Sequence, residues 1–140
     1  MIARIAATAT LAYLLFALPG AQAQGVKVVK EFKGEGPAGK MEKTVGGTPY
    51  FGTPAAFKAF WAATGTKEPL PKVDFEKEFV LRVYAREAKD LAMQLKLSDK
   101  GDLIVTQTSK AGSDIEVMSY HVVIVSRDGI KTVGGKKIRN

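Results

Sequence analysis

"AFKAFWAATG", residues 56–65, holds the only tryptophan of the chain, and its reading decides the fold. Phe57, Phe60, Trp61 and Thr64 recur at i, i+3, i+4 and i+7, so on a helix they form one stripe, with Lys58 off it. The spacing predicts a helix that starts after Thr53. The Thr53 hydroxyl is suited to cap the free N–H groups, and Pro54 fits the first helical position, where a missing donor does no harm. Alanines at 55, 56, 59, 62 and 63 favour the helix, and Gly65 supplies the left-handed residue that ends it. A lone helix with such a stripe has to dock on a sheet, so Phe57, Phe60 and Trp61 are expected as core anchors rather than as a binding surface.

Outward from that helix the chain reads as strands. Ahead of it, "VKVVKEFK" (26–33) alternates well enough for a first strand, and "GEGPAGK" (34–40) reads as a flexible turn. That turn formally contains G-x-G-x-x-G, but Pro37 lies inside the motif and no uninterrupted helix follows before Gly46-Gly47, which argues against a dinucleotide cradle. "KMEKTV" (40–45) suggests a second short strand and "GGTPYFGT" (46–53) a loop.

Beyond the helix, "KEPLPK" (67–72) is an extended connection. Phe79, Leu81, Val83 and Ala85 then face one way while Val80, Arg82 and Tyr84 face the other. "LAMQLKL" (91–97) repeats the alternation with Leu91, Met93, Leu95 and Leu97 on its apolar face. The turn "SDKGD" joins it to "LIVTQTS" (103–109), and "VMSYHVVIVSR" (117–127) is the longest strand. A short "IKTV" between glycine turns closes the chain. These readings give a single two-layer α+β domain, one central helix packed on a curved, mostly antiparallel sheet of about six or seven strands.

The N-terminal residues have the layout of a secretory signal peptide: Arg4, an uncharged apolar run from Ile5 to Leu18, a Pro19-Gly20 break and then Ala21-Gln22-Ala23. The expected cut lies between Ala23 and Gln24, so residues 1–23 are the leader and 24–140 a single exported domain, periplasmic or extracellular. The apolar run is shorter than the roughly 20 residues that span a bilayer, so no stable membrane anchor is expected after cleavage. With no cysteine in the chain, thiol catalysis, thiolate metal sites and disulfides are excluded.

"FKAFWAATGTKEPLPKVDFEKEFVLRV" (57–83) resembles the C-terminal domain of the protease complex subunit PrcB, and also small secreted paralogous proteins of planctomycete bacteria. The resemblance spans roughly Thr53 to Ile138, and its sharp pieces are Phe60-Trp61 and Val73-Asp74-Phe75. Where that domain usually carries a Gly-Gly pair, this chain reads "AREAKDLAM". The resemblance implies an α+β fold and an accessory, non-catalytic extracytoplasmic domain that binds or stabilises a partner.

Few residues offer catalytic chemistry. His121 is the only histidine and sits in mid-strand, sharing a face with Val123 and Val125. A hydrolase or lyase reading needs it beside an acid such as Glu116 or Asp128, and no G-x-S-x-G elbow exposes a serine. Asp74, Glu76 and Glu78 fall two apart, but calcium needs more oxygens and a glycine-enabled loop, so Asp74 reads as a structural turn residue. No metal or cofactor is expected.

The whole chain carries a formal net charge of +7, with Lys131, Lys136, Lys137 and Arg139 crowded at its end. That patch suits an anionic polysaccharide or an envelope protein. It lacks the interleaved aromatics that nucleic acid binding uses. The expectation is a monomeric, non-catalytic binding or accessory module, with a small secreted hydrolase or lyase and a purely structural envelope protein as its competitors.

Overall fold

The computed structural model describes residues 22–112 and 114–138. The expected leader up to Ala21 and Arg139 of the expected basic patch lie outside the described residues. In chain order the elements are β1 (Gln22–Gln24), β2 (Val28–Pro37), α1 (Ala38–Met41), β3 (Tyr50–Phe51), α2 (Pro54–Ala63), β4 (Glu78–Arg86), β5 (Ala88–Leu97), β6 (Asp102–Ala111), β7 (Val117–Ser126), β8 (Thr132–Val133) and β9 (Lys136–Lys137).

The mixed α+β character stands, but the single sheet does not. Among the described residues the strands form two sheets, ordered β1-β5-β6-β8-β9 and β2-β7-β4-β3, neither closed on itself, and α1 joins α2 as a second helix. The physical reason lies at Glu87. This one residue separates β4 from β5 and takes a left-handed φ of 50°, turning the chain through a corner, so that β5 leaves the sheet of β4 and starts the other one.

Three layers result. Phe79, Leu81 and Val83 of β4, with Val123 and Val125 of β7, meet Leu91, Met93, Leu95 and Leu103 of the facing sheet in one apolar layer. The opposite face of β4 and β7, with Val80, Met118, Tyr120, Val122 and Ile124, packs on Phe57, Phe60 and Trp61 of α2. A sheet covered on both faces needs strands apolar on both, which is why β7 is a nearly continuous apolar run.

Helix α2 follows its sequence signals. Thr53 Oγ1 accepts from the Ala56 N–H at 3.3 Å, and Gly65 takes a φ of 71° just past the end. Trp61 lies edge-on to Phe32 at 5.2 Å, and its Nε1–H donates to the Glu68 carbonyl at 3.1 Å. Burying Phe57, Phe60 and Trp61 contributes roughly 1.5 to 3 kcal/mol each.

Two expectations ahead of α2 are corrected. "GEGPAGK" is no flexible turn, because β2 runs through Gly34 and Gly36 to Pro37. A Cβ on Gly34 would lie 2.5 Å from the Tyr120 hydroxyl, and one on Gly36 would lie 2.7 Å from the Thr64 carbonyl oxygen; these glycines allow close packing. "KMEKTV" is no strand either, since Met41 ends α1 and the Thr44 N–H closes a turn on the Met41 carbonyl at 3.0 Å. The expected loop 46–53 does contain β3, paired antiparallel with β4 as Tyr50↔Leu81 and Phe51↔Val80.

Candidate functional site

β3 covers only the start of β4. The Arg82 N–H still donates to the Pro49 carbonyl at 3.0 Å, and then the chain before β3 diverges. In an antiparallel ladder alternate residues send both their backbone groups to the same side, so Tyr84 and Arg86 share the side of Arg82, where β3 no longer reaches. On the facing sheet, β8 covers only Asp102 and Leu103 of β6. Between these uncovered edges lies a cleft of about 550 Å³, walled by Gly46, Gly47, Tyr84, Gln107 and Gly134 and floored by Val83, Val105 and Val133. Gln107 crosses it, its Nε2 donating to the Tyr84 carbonyl at 3.3 Å.

Arg82 lines this cleft and is only 3% exposed. Its guanidinium donates to the Tyr50 carbonyl at 3.0 Å and to the Gly46 carbonyl at 2.8 Å, with its carbon 4.3 Å from the centre of the Phe51 ring. Its buried Nε has no partner, and among the described residues no carboxylate forms an ion pair with it. Burial holds its pKa below the usual guanidinium value, with Tyr84 opposing that shift. A buried cation satisfied only by neutral carbonyls is poised to gain from a carboxylate.

The rim is unobstructed. Around Gly46, Gly47 and Gly134 an added Cβ would meet nothing within 4 Å, and neither Gly46 nor Gly47 has a positive φ. Steric crowding therefore does not require glycine at 46 or 47, and the open space is part of the cleft mouth.

The expected basic patch is divided. Lys136 and Lys137 are consecutive in β9 and so point to opposite faces, with Lys136 paired across from Val133. The Lys137 carbonyl accepts from the Tyr50 hydroxyl at 3.4 Å, and the Lys131 stem lies over Gly101. None of Lys131, Lys136 and Lys137 lines the cleft, so the expected patch and the cleft are separate features of the surface.

His121 is fully buried on the inter-sheet face, with Nε2 3.0 Å from Glu31 Oε2. Neither Glu116 nor Asp128 is its partner: both lie beyond the ends of β7, whereas the ring sits in mid-strand and bonds Glu31 of β2. Burial lowers the His121 pKa, the hydrogen bond to Glu31 opposes this, and Lys33 adds to the lowering. The neutral ring thus donates through Nε2, while Nδ1 is buried without a partner. Of the two nearby serines, Ser119 donates to the Ala88 carbonyl and Ser126 accepts from the Asp128 N–H.

Asp74 shapes the entry to β4. Its Oδ1 accepts from the Glu76 N–H at 3.1 Å, its carbonyl accepts from the N–H groups of Lys77 and Glu78, and its own N–H donates to Glu78 Oε2. Among the described residues, no group of three or more His, Asp or Glu side chains is placed to hold a metal ion. Among them, too, no helix is long and apolar enough to cross a membrane.

The cleft went unnoticed in the sequence, although one signal was present: Arg82 is the single charge inside the apolar run "FVLRVYA". No protein-family model matches this chain, and comparison with curated proteins and with solved structures returns no match.

Proposed function

We propose that this protein is an exported, monomeric, non-catalytic binding or accessory domain, cut after Ala23, that takes a partner in the cleft between its two sheets. The partner is a protein or an anionic component of the envelope. One observation carries the reading: Arg82 is a buried cation held by neutral carbonyls at the wall of an open cleft. The likeness of Phe60-Trp61 and Val73-Asp74-Phe75 to the PrcB-type accessory domain supports the same direction.

A hydrolase or lyase built on His121 is the weaker reading, because a fully buried ring bound to Glu31 offers no base to a substrate. A purely structural role leaves the cleft and its cation without a use.

The test is affinity capture of the tagged mature protein from envelope extract at low and at high salt. Retention of a protein or glycan at low salt that weakens at high salt supports the proposal. Failure to retain anything at either salt overturns it.

A further inference from the structure

The open edge of β4 narrows what the cleft is built to take, on the premise that the cleft is the binding site. An edge strand presents unpaired N–H and C=O groups and is a template for another extended chain. The four-stranded sheet has two edges, and they differ. On the outer edge, β2 is interrupted by a register shift between Val28 and Lys30, carries Lys30 and Lys33, and ends at Pro37, all of which discourage pairing. The β4 edge beyond Arg82 has no such interruption: its register with β7 runs unbroken from Glu78 to Arg86, and it is recessed in the cleft.

An arriving strand would continue the line of β3, opposite Tyr84 and Arg86. Alternate side chains of that strand would face either Val83, Val105 and Val133 on the floor or the side of Arg82. The floor is apolar, and the Arg82 side carries a cation bonded to carbonyls but, among the described residues, in no ion pair. Charge complementarity therefore selects acidic residues at alternate positions. The Tyr84 carbonyl now accepts from the Gln107 side chain, a bond that the new strand would replace.

We propose that the cleft binds an extended acidic peptide segment of a partner protein, which adds as a strand to the open edge of β4 and brings a carboxylate to Arg82. Backbone pairing gives the affinity and the carboxylate gives the selectivity.

The experiment uses the mature protein and a fluorescent peptide of alternating valine and glutamate. Controls are the same peptide with glutamine for glutamate, the same peptide N-methylated on alternate amides, and a short oligouronate as the polysaccharide arm. Saturable binding of the acidic peptide, weakened roughly tenfold by glutamine and abolished by N-methylation, with slowed exchange of the Tyr84 amide, is the expected result. Gln107→Ala, at an exposed position, should tighten binding by roughly two- to tenfold by releasing the Tyr84 carbonyl.

Gly47→Leu should fill the mouth and abolish binding in a protein that remains folded. No binding of the acidic peptide, or binding that leaves Tyr84 exchange and the Gly47→Leu variant unaffected, overturns the strand-addition proposal. If the oligouronate alone binds, and Gly47→Leu blocks it, the peptide proposal fails while the cleft reading stands.

Discussion

Arg82 holds the segment before β3 in place through Gly46: its guanidinium donates 2.8 Å to the Gly46 carbonyl from a side chain that is itself almost wholly buried. The same guanidinium bonds the Tyr50 carbonyl and lies against Phe51, so one side chain both positions the cleft wall and charges it. Arg82→Ala is expected to lose about 3 kcal/mol of stability, since two charge-assisted bonds go and two carbonyls lose their donor. Arg82→Lys should recover only part of this, because a single ammonium cannot reproduce the fork. Urea unfolding of both variants measures it; equal stability of Arg82→Ala and wild type would remove Arg82 as the organiser of the cleft.

Trp61→Ala should cost about 3 to 5 kcal/mol, because the ring is buried among Phe32 and Phe57 and its removal leaves a cavity in the layer under α2. Trp61→Phe keeps the apolar stripe and loses the bond to the Glu68 carbonyl, for about 1 kcal/mol. Thermal unfolding of the pair separates packing from hydrogen bonding. A folded Trp61→Ala protein that had lost only a binding activity would reassign the tryptophan from core to surface.

His121 gives the stability a pH dependence of known sign. Its folded pKa lies below the ordinary value of 6.5, so below that value the unfolded chain binds more protons than the native one. This contribution is therefore fully present above about pH 6.5 and declines as pH falls from there towards the lowered native value. The groups acting on the ring are Glu31 and Lys33, from the neighbouring strand β2. Urea midpoints at about pH 7.5 and pH 5.5 should differ more for wild type than for His121→Gln; an identical difference in the two proteins would show that the histidine is not the source.

Two glycines should respond in opposite ways to a side chain. Gly101 has a φ of 83°, and a Cβ there would sit 2.9 Å from the Gly129 carbonyl oxygen, so Gly101→Ala should lose more than about 1 kcal/mol. Gly47→Leu, in open space without a positive φ, should change stability by less than roughly 0.5 kcal/mol. Melting temperatures of the two variants check the contrast, and a strongly destabilised Gly47→Leu would mean that the cleft mouth is not free.

Export is checked by intact mass. The exported protein should begin at Gln24, and a retained Met1 would contradict the leader. The expected cut falls within β1, so the mature chain keeps only the Gln24↔Lys96 pairing of that short parallel ladder.

Much of this architecture was legible because it rests on local periodicity. The stripe of α2 and the alternation of β5 show in consecutive residues and bury the face each pattern implies, while the apolar runs of β4 and β7 are buried on both faces. What was illegible depends on contacts distant in sequence. Nothing local marks Glu87 as the corner between two sheets, and a glutamate is an uncommon residue for a left-handed φ. Gly34 and Gly36 look like a turn until Tyr120 and Thr64 are set against them. Glu31 lies 90 residues from His121, so sequence proximity pointed to Glu116 and Asp128 instead. The cleft has the same origin: its walls come from the segment before β3, from β4, from β6 and from the turn before β9.

The most direct test sets two baits side by side, the tagged mature protein and its Gly47→Leu variant, against the same envelope extract at low salt. The cleft account predicts a partner retained by the wild-type bait and lost from the variant, with both proteins folded to the same melting temperature. Equal retention by the two baits would contradict it.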